Sequence, residues 1–205
     1  MKRYRKPYKK PFFIVVGLVL LLVLGYFVLS RCYDSFMKQA YPLKYSEIVS
    51  VEATENKLDP ALVYSVIKVE SNFDAEAVSH AGAVGLMQLT PDTFEWLRTK
   101  SKSENNSVYT SQDLKMPNIN IRYGCRFLAL LLKKYSNTRT ALSAYNAGIG
   151  TVNGWLKDSE VSKDGITLEH IPYAETRKYV DAVLKNYEKY KSLYQFNSKG
   201  EMING

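Results

Sequence analysis

One glutamate of this chain, Glu70, has the sequence surroundings that a general acid needs. It follows an apolar segment, ALVYSVIKV, which begins after an Asp59-Pro60 pair. Asp can cap the free N–H groups at the start of a helix, and Pro fits the first helical position. Burial and the negative end of the helix dipole both disfavour a charged carboxylate, so we expect the pKa of Glu70 to be raised. A raised pKa suits a general acid that works near neutral pH, although a carboxylate that ends a surface helix would have the same spacing.

The segment after Glu70, SNFDAEAVSHAGAVGLMQLTP, is rich in small residues. Gly82 and Gly85 allow backbone conformations and close approaches that a side chain would block. Gln88 carries both a hydrogen-bond donor and an acceptor, which suit sugar hydroxyls and amides. A buried acid facing such a loop is a frequent design for a sugar-cleaving site. An ordinary Gly-containing turn with Met87 in the core would also fit the pattern.

Three motifs resemble the lytic transglycosylases of the soluble-lytic-transglycosylase type, which are relatives of goose-type lysozyme. They are ESNFDAEAVSHAGAVGLMQLTP from Glu70, AYNAG from Ala144, and IPY from Ile171 with the following ETR and YV. The motifs occur in the family's order and cover roughly Tyr45 to Tyr190. No key position of the signature departs from the family's pattern.

This resemblance implies a peptidoglycan lytic transglycosylase in which Glu70 is the only general acid and base. Such an enzyme cleaves the β-1,4 bond between N-acetylmuramic acid and N-acetylglucosamine and leaves a 1,6-anhydromuramyl end, with no cofactor. Its substrate is the glycan strand of peptidoglycan. The resemblance also implies that Ser79 orients the substrate's acetamido group. It places further side chains in the sugar cleft or in support of it: Gln88, Tyr145, Asn146, Glu175 and Tyr179.

Three other functions stay open on the sequence alone. A hydrolytic muramidase would use the same acid, with Asp74 or Glu76 reaching the opposite face of the sugar. A non-catalytic wall-binding module would have no need for a desolvated Glu70. A membrane protein with an unrelated interaction domain predicts no affinity for purified peptidoglycan, and the sequence does not identify protein partners.

The positive charge of the chain is concentrated before its first apolar run. Six of the Lys and Arg residues lie within residues 2–10, so the formal net charge of +8 falls to +2 for the rest of the chain. The sequence therefore predicts no nucleic-acid-binding surface. Residues 12–30, FFIVVGLVLLLVLGYFVLS, are 19 uncharged residues, long enough to span a bilayer as one helix.

An uncleaved membrane anchor is favoured over two alternatives. A cleaved signal peptide needs a shorter apolar core and a small-x-small site, whereas this run ends in YFVLSR. A lipoprotein needs a small residue before Cys32, where Arg31 stands. By the positive-inside rule the N-terminus is cytoplasmic, and the chain from about residue 31 lies outside the membrane, facing the cell wall.

The rest of the chain is long enough for one domain, and its patterns predict a mainly α fold. The resemblance implies a lysozyme-like domain of the α+β superfamily, with a small β element that the sequence does not locate. The expected organisation is a basic segment at 1–11, the anchor at 12–30, a connector at 31–44, the catalytic domain at 45–196 and a frayed tail at 197–205. Helices are predicted over 45–58, 60–70, 90–98, 118–135, 138–147, 151–156 and 175–196, with a polar loop at 101–113.

Several single residues carry predictions of their own. The two cysteines and two isolated histidines form no metal-ligand cluster, so no metal site is predicted. Cys125 is expected in the core and His80 in a solvated loop. Trp96 is expected either in the core or stacked on a sugar. The first helix should turn Ile48, Val49 and Val51 towards the core, and Asn118 should cap its helix.

Overall fold

The computed structural model describes residues 10–100 and 109–204, and the chain divides into two units between Pro42 and Leu43. From residue 10 onward, the first unit forms the helix α1 (Lys10–Ala40). Its stretch Phe12–Ala40 is long and apolar enough to cross a membrane, with a mean hydropathy of 3.0 in its most apolar window. A signal sequence would share this length and composition, so the anchor stays a prediction.

The second unit is mainly helical, which confirms the predicted class. Its helices are α2 (Ser46–Glu55), α3 (Pro60–Ser71), α4 (Pro91–Lys100), a 3₁₀ turn (Ser111–Lys115), α5 (Pro117–Lys134), α6 (Thr138–Ala147), α7 (Ile149–Trp155) and α8 (Ala174–Leu193). Two short antiparallel strands follow, β1 (Gln195–Phe196) and β2 (Met202–Asn204). The predicted polar loop at 101–113 and the basic segment at 1–11 fall partly outside the described residues.

Helix α3 is the central helix of this unit, and its start follows from two residues. Asp59 accepts a hydrogen bond from the Ala61 N–H at 2.9 Å, and Pro60 occupies the first helical position. Residues 60–67 are buried without exception, because apolar side chains surround the whole helix. Helix α8 packs along α3 more extensively than any other pair of elements. This packing holds the C-terminal end of α3 in a fixed place.

Helix α5 contributes a second part of the core. Cys125 is fully buried, as predicted, and Phe94 of α4 packs edge-to-face on Tyr123 with ring centroids 4.6 Å apart. The predicted cap at Asn118 is wrong. The helix begins at Pro117 with Met116 as the N-cap, because Pro favours the first helical position.

Helix α2 differs from its predicted form in length and in one side chain. It ends at Glu55, three residues before the predicted end. Val49 is buried, but Val51 is 54% exposed, so its predicted core position is wrong. Residues three and four apart share a helix face, and the buried face here consists of Val49, Glu52 and Ala53.

The C-terminal residues form a β-hairpin where the sequence predicts the end of a helix and a frayed tail. Helix α8 ends at Leu193, and Phe196 stacks on the buried Tyr64 with ring centroids 6.0 Å apart. Asn197 stabilises the turn, since its side-chain oxygen accepts hydrogen bonds from the Lys199 and Glu201 N–H groups. The packing of Phe196 on Tyr64 and the hydrogen bonds of Asn197 hold the C-terminal residues against the helices.

Candidate active site

Glu70 lies in the last turn of α3, where the helix meets the loop that follows it. The next residue, Ser71, donates a hydrogen bond from its hydroxyl to the Leu86 carbonyl at 2.8 Å, which ties the helix end to the far side of the loop. The loop itself contains two isolated bridges, Val78 with Val84 and Val84 with Leu89. These bridges are a small β element whose position the sequence does not indicate.

A buried asparagine of α5, Asn120, holds the loop in its conformation. Its side-chain oxygen accepts from the Met87 N–H at 2.7 Å. Its amide nitrogen donates to the carbonyls of Val84 at 2.8 Å and Leu114 at 2.7 Å. Each of these buried bonds would cost about 1–3 kcal/mol if its partner were left unpaired. Sequence reasoning missed Asn120, although a polar residue between two apolar ones, INI, is a signal that could have found it.

Gly85 makes room for that asparagine. Its φ is +79°, and a Cβ built there would collide with the Asn120 side chain and the Leu114 carbonyl. The glycine is therefore required both by its backbone conformation and by the close approach of a neighbour.

Two of the predicted substrate-binding residues, Ser79 and Gln88, hydrogen-bond within the loop. The Ser79 hydroxyl oxygen accepts from the Ala83 N–H at 3.0 Å, which leaves its proton able to donate. The Gln88 amide nitrogen donates to the carbonyls of Ala77 at 3.1 Å and Gly85 at 2.9 Å. Gln88 is thus held in place by the loop while its side chain lines the cleft described below.

Two buried tyrosines flank the Glu70 carboxylate. Tyr145 donates its hydroxyl to the Met87 carbonyl at 2.8 Å. The buried Tyr179 hydroxyl lies beside the Glu70 carboxylate, but at a geometry that falls short of a full hydrogen bond. Burial, followed by the charge of Glu70, raises the pKa of both tyrosines well above the ordinary value. Both tyrosines therefore stay neutral near Glu70.

Burial is also the main influence on Glu70. Desolvation raises the pKa of its carboxyl to about 7, and the neighbouring Tyr179 hydroxyl partly offsets that rise. A carboxyl with this pKa is protonated in a large fraction of molecules near neutral pH and can both give and take a proton. The predicted direction of the shift and its first cause, burial, agree with the structure.

An open cleft of about 430 Å³ lies over Glu70 and has the size usual for ligand sites. Six of the seven predicted site residues line it, and Tyr179 contacts Glu70 from outside the lining. His80 lies in an exposed part of the loop, as predicted, and also reaches the cleft. Three lining side chains that sequence reasoning did not place in the cleft are Thr90, Thr93 and Phe127.

Glu70 and Glu175 are the acidic residues that line this cleft in the described part of the chain. Asp74 and Glu76, the acids expected for the hydrolytic alternative, do not line it, so Glu175 is the second carboxylate among the described lining residues. Asp74 accepts a hydrogen bond from the Glu76 N–H at 2.9 Å, and Glu76 pairs with the Lys115 ammonium at 2.7 Å. A larger cavity of about 670 Å³, between α2 and the C-terminal hairpin, does not include Glu70.

The raised pKa of Glu70 predicts that its carboxylate destabilises the folded protein at high pH. The pKa of Glu70 in the folded protein, about 7, lies above the ordinary value of 4.5. The protonated side chain's contribution to the free energy of unfolding is therefore fully present below pH 4.5 and is lost as the pH rises to 7. Glu70→Gln has no carboxyl to ionise, so the variant does not lose stability in this way. The variant should be more stable than the wild type by about 1–3 kcal/mol at pH 8, with the difference shrinking towards pH 4.5.

Urea denaturation of the full chain in detergent at several pH values measures this difference. Glu175→Gln is the matched control, because Glu175 lines the same cleft but is exposed and keeps its hydration on folding. Its stability should stay within about 0.5 kcal/mol of the wild type throughout. Equal stability of Glu70→Gln and wild type at pH 8 would contradict a desolvated Glu70.

A family model described as the Transglycosylase SLT domain matches residues 47–166. The soluble lytic murein transglycosylase of Escherichia coli (strain K12) is 29% identical over 162 residues, which cover 78% of this chain and 24% of that protein. The membrane-bound lytic murein transglycosylase C of Haemophilus ducreyi is 29% identical over 171 residues, which cover 72% of this chain and 45% of that protein. The chain thus spans about a quarter of the length of the soluble relative.

Solved structures of lytic transglycosylases are also similar to this chain. One is an inactive mutant of the lytic transglycosylase Slt from Pseudomonas aeruginosa, with a TM-score of 0.64 and 30% identity over 77% of this chain and 25% of that one. The other is a complex of the 70-kDa soluble lytic transglycosylase with bulgecin A, with a TM-score of 0.67 and 25% identity over 80% of this chain and 26% of that one. The lysozyme-like fold expected from the sequence is thereby confirmed.

Proposed function

Because the chain belongs to the transglycosylase SLT domain family, we propose that it is a peptidoglycan lytic transglycosylase with Glu70 as its single general acid and base. The observation that carries this proposal is the position of Glu70 in an open cleft, with a pKa that desolvation raises to about 7. The substrate is a glycan strand of alternating N-acetylmuramic acid and N-acetylglucosamine.

In the first step the Glu70 carboxyl gives its proton to the oxygen that bridges N-acetylmuramic acid and N-acetylglucosamine. The bond between C1 of the muramyl sugar and that oxygen breaks, and N-acetylglucosamine leaves with a free hydroxyl. Positive charge develops at C1 of the muramyl sugar. The substrate's own N-acetyl group can stabilise that charge, which reduces the need for a second carboxylate.

In the second step the muramyl C6 hydroxyl attacks C1 and loses its proton to the Glu70 carboxylate. A 1,6-anhydromuramyl end forms, no water is consumed, and Glu70 is protonated again for the next turnover. The attacking hydroxyl belongs to the same sugar, so it gains from proximity in the way that intramolecular reactions do. A pKa near 7 suits both proton transfers, because neither protonation state of Glu70 is strongly favoured.

The other site residues hold the substrate or Glu70 in this proposal. Ser79 keeps a hydroxyl proton free to donate and would orient the acetamido group. Gln88, Asn146 and Glu175 line the cleft and would bind sugar hydroxyls and amides. Tyr145 and Tyr179 would keep the Glu70 carboxyl in place and in an apolar environment.

We also propose that α1 anchors the chain in the cytoplasmic membrane with the second unit on the outer side, facing peptidoglycan. The apolar Phe12–Ala40 stretch and the basic residues that precede it support this orientation. Protease added to spheroplasts should digest residues 43–204, and full protection of that unit would contradict the orientation.

The test of the proposed reaction is mass spectrometry of the soluble products after the full chain, in detergent, digests purified peptidoglycan. We expect muropeptides with anhydromuramyl ends, each one water lighter than the hydrolysis product. Muropeptides with reducing muramic acid ends would make the chain a hydrolase. Binding to peptidoglycan without any product would leave the wall-binding function.

A further inference from the structure

A second cavity of about 240 Å³ adjoins the cleft over Glu70. Thr93 and Phe127 line both cavities. We call the second cavity the Trp96 alcove, after the aromatic residue that distinguishes it. Its lining consists of Asp92, Thr93, Trp96, Phe127, Gly148 and Ile149.

Trp96 is held at this place by the helix that carries it. Its neighbours Phe94 and Leu97 are buried in the core, whereas Trp96 keeps part of its ring exposed. The indole meets Phe127 edge-to-face, with ring centroids 6.4 Å apart and planes at 84°. Phe127 in turn packs on Tyr145, with ring centroids 5.0 Å apart. An aromatic path therefore runs from Tyr145 in the active site to the exposed part of Trp96.

Another part of the alcove lining comes from Gly148 and from Ile149 at the start of α7. Gly148 and Ile149 follow directly on Asn146 and Ala147, so the AYNAG motif supplies both the cleft and the alcove. A Cβ built at Gly148 would meet no atom within 4 Å, which leaves the wall open to a ligand. The Lys100 ammonium lies 5.8 Å from the Trp96 ring centroid, at the outer limit of cation–π attraction, and its flexible stem can move aside.

These groups form the chemistry of a sugar site. An indole ring offers a flat apolar surface for the C–H face of a pyranose, and Asp92 offers a carboxylate to hydroxyl or amide protons. Apolar and aromatic walls with a few polar groups are the usual composition of ligand pockets. The position of the alcove next to the cleft suits the next unit of a linear strand.

We propose that the Trp96 alcove binds a further N-acetylhexosamine unit of the glycan strand, with its ring stacked on Trp96, so that the chain favours long strands over short ones. This inference rests on the proposed function, because the strand must lie in the cleft to continue into the alcove. It adds Trp96 as a binding residue and leaves proton transfer to Glu70.

The chain contains only two tryptophans, which makes the alcove directly observable. Trp155, the other one, packs on Tyr173 with ring centroids 4.9 Å apart and lines neither cavity. The full chain carrying Glu70→Gln and Trp155→Phe binds without cleaving and has Trp96 as its only indole. Its fluorescence is titrated in detergent with a disaccharide, a tetrasaccharide and an octasaccharide purified from peptidoglycan.

We expect the octasaccharide to change the Trp96 emission saturably, and the disaccharide to leave it unchanged. The matched variant with Glu70→Gln and Trp96→Phe, in which Trp155 is the only indole, should show no change with any ligand. Calorimetry of the same samples reports binding independently of fluorescence. If calorimetry shows that the octasaccharide binds while the Trp96 emission stays constant, the inference is overturned.

Kinetics on the otherwise wild-type chain separate this inference from the proposed function. Trp96→Ala should raise the KM for the octasaccharide about tenfold with little change in kcat, and Trp96→Phe should recover part of that loss. Anhydromuramyl products with the same length dependence in wild type and Trp96→Ala would refute the alcove site and keep the proposed reaction. Absence of anhydromuramyl products from the wild type would refute the reaction itself.

Discussion

Replacing Glu70 by Gln should reduce the release of anhydromuropeptides from peptidoglycan by roughly a thousandfold. Gln keeps the shape of the side chain but can neither give a proton to the bridging oxygen nor take one from the C6 hydroxyl. A positioned proton-transfer group contributes about 10²–10⁴ in rate, and Glu70 serves both steps. Initial rates measured by mass spectrometry of soluble products check this expectation.

The control for that measurement is Glu76→Gln. Glu76 belongs to the same loop sequence, but it pairs with Lys115 and does not line the cleft. Its rate should stay within about twofold of the wild type, since surface ion pairs contribute little. Comparable rates for Glu70→Gln and wild type would remove Glu70 from the mechanism.

Replacing Gly85 by Ala should destabilise the fold by roughly 3 kcal/mol or more and abolish activity as well. The new Cβ would collide with the Asn120 side chain and the Leu114 carbonyl, at a φ of +79° that disfavours any side chain. Moving Asn120 would break its bonds to the Met87 N–H and the Val84 carbonyl. Thermal denaturation of the full chain in detergent, followed by aromatic circular dichroism, measures the loss.

Gly82→Ala is the matched control, because it lies in the same loop with a φ of +78° but has no atom within 4 Å of the new Cβ. It should cost only the backbone strain, about 1 kcal/mol. If the two variants were equally destabilised, the close packing of Gly85 on Asn120 would not be what shapes the loop.

Local sequence features predict where Glu70 lies better than they predict what holds the site together. A cap at Asp59 and an apolar run place Glu70 at the end of a buried helix, and the family resemblance adds the prediction that it is the acid. Asn120 lies 33 residues from the Met87 N–H that it binds, and no local pattern links the two. Phe127 is a largely buried apolar residue of α5, and its type and spacing give no sign that it also borders a cleft.

The C-terminal hairpin is a part of the fold that local sequence patterns also fail to predict. The pattern of α8 continues past Leu193, so a helix to Phe196 is a reasonable prediction from propensity. Tyr64 lies on α3, far away in sequence, and its ring packs on both Tyr190 and Phe196. Tertiary burial of this kind overrides local propensity and cannot be read from neighbouring residues.

The most direct test of a single glutamate acting as acid and base is the dependence of kcat/KM on pH, which reports the ionisations of the free enzyme. If a single carboxyl must be protonated at the start of the reaction, kcat/KM is constant at low pH and falls at higher pH, with a midpoint near 7. A mechanism with two carboxylates, one protonated and one ionised, gives a bell-shaped profile. We predict the single falling limb, and a bell-shaped profile, or a falling limb with a midpoint near 4.5, would contradict the account.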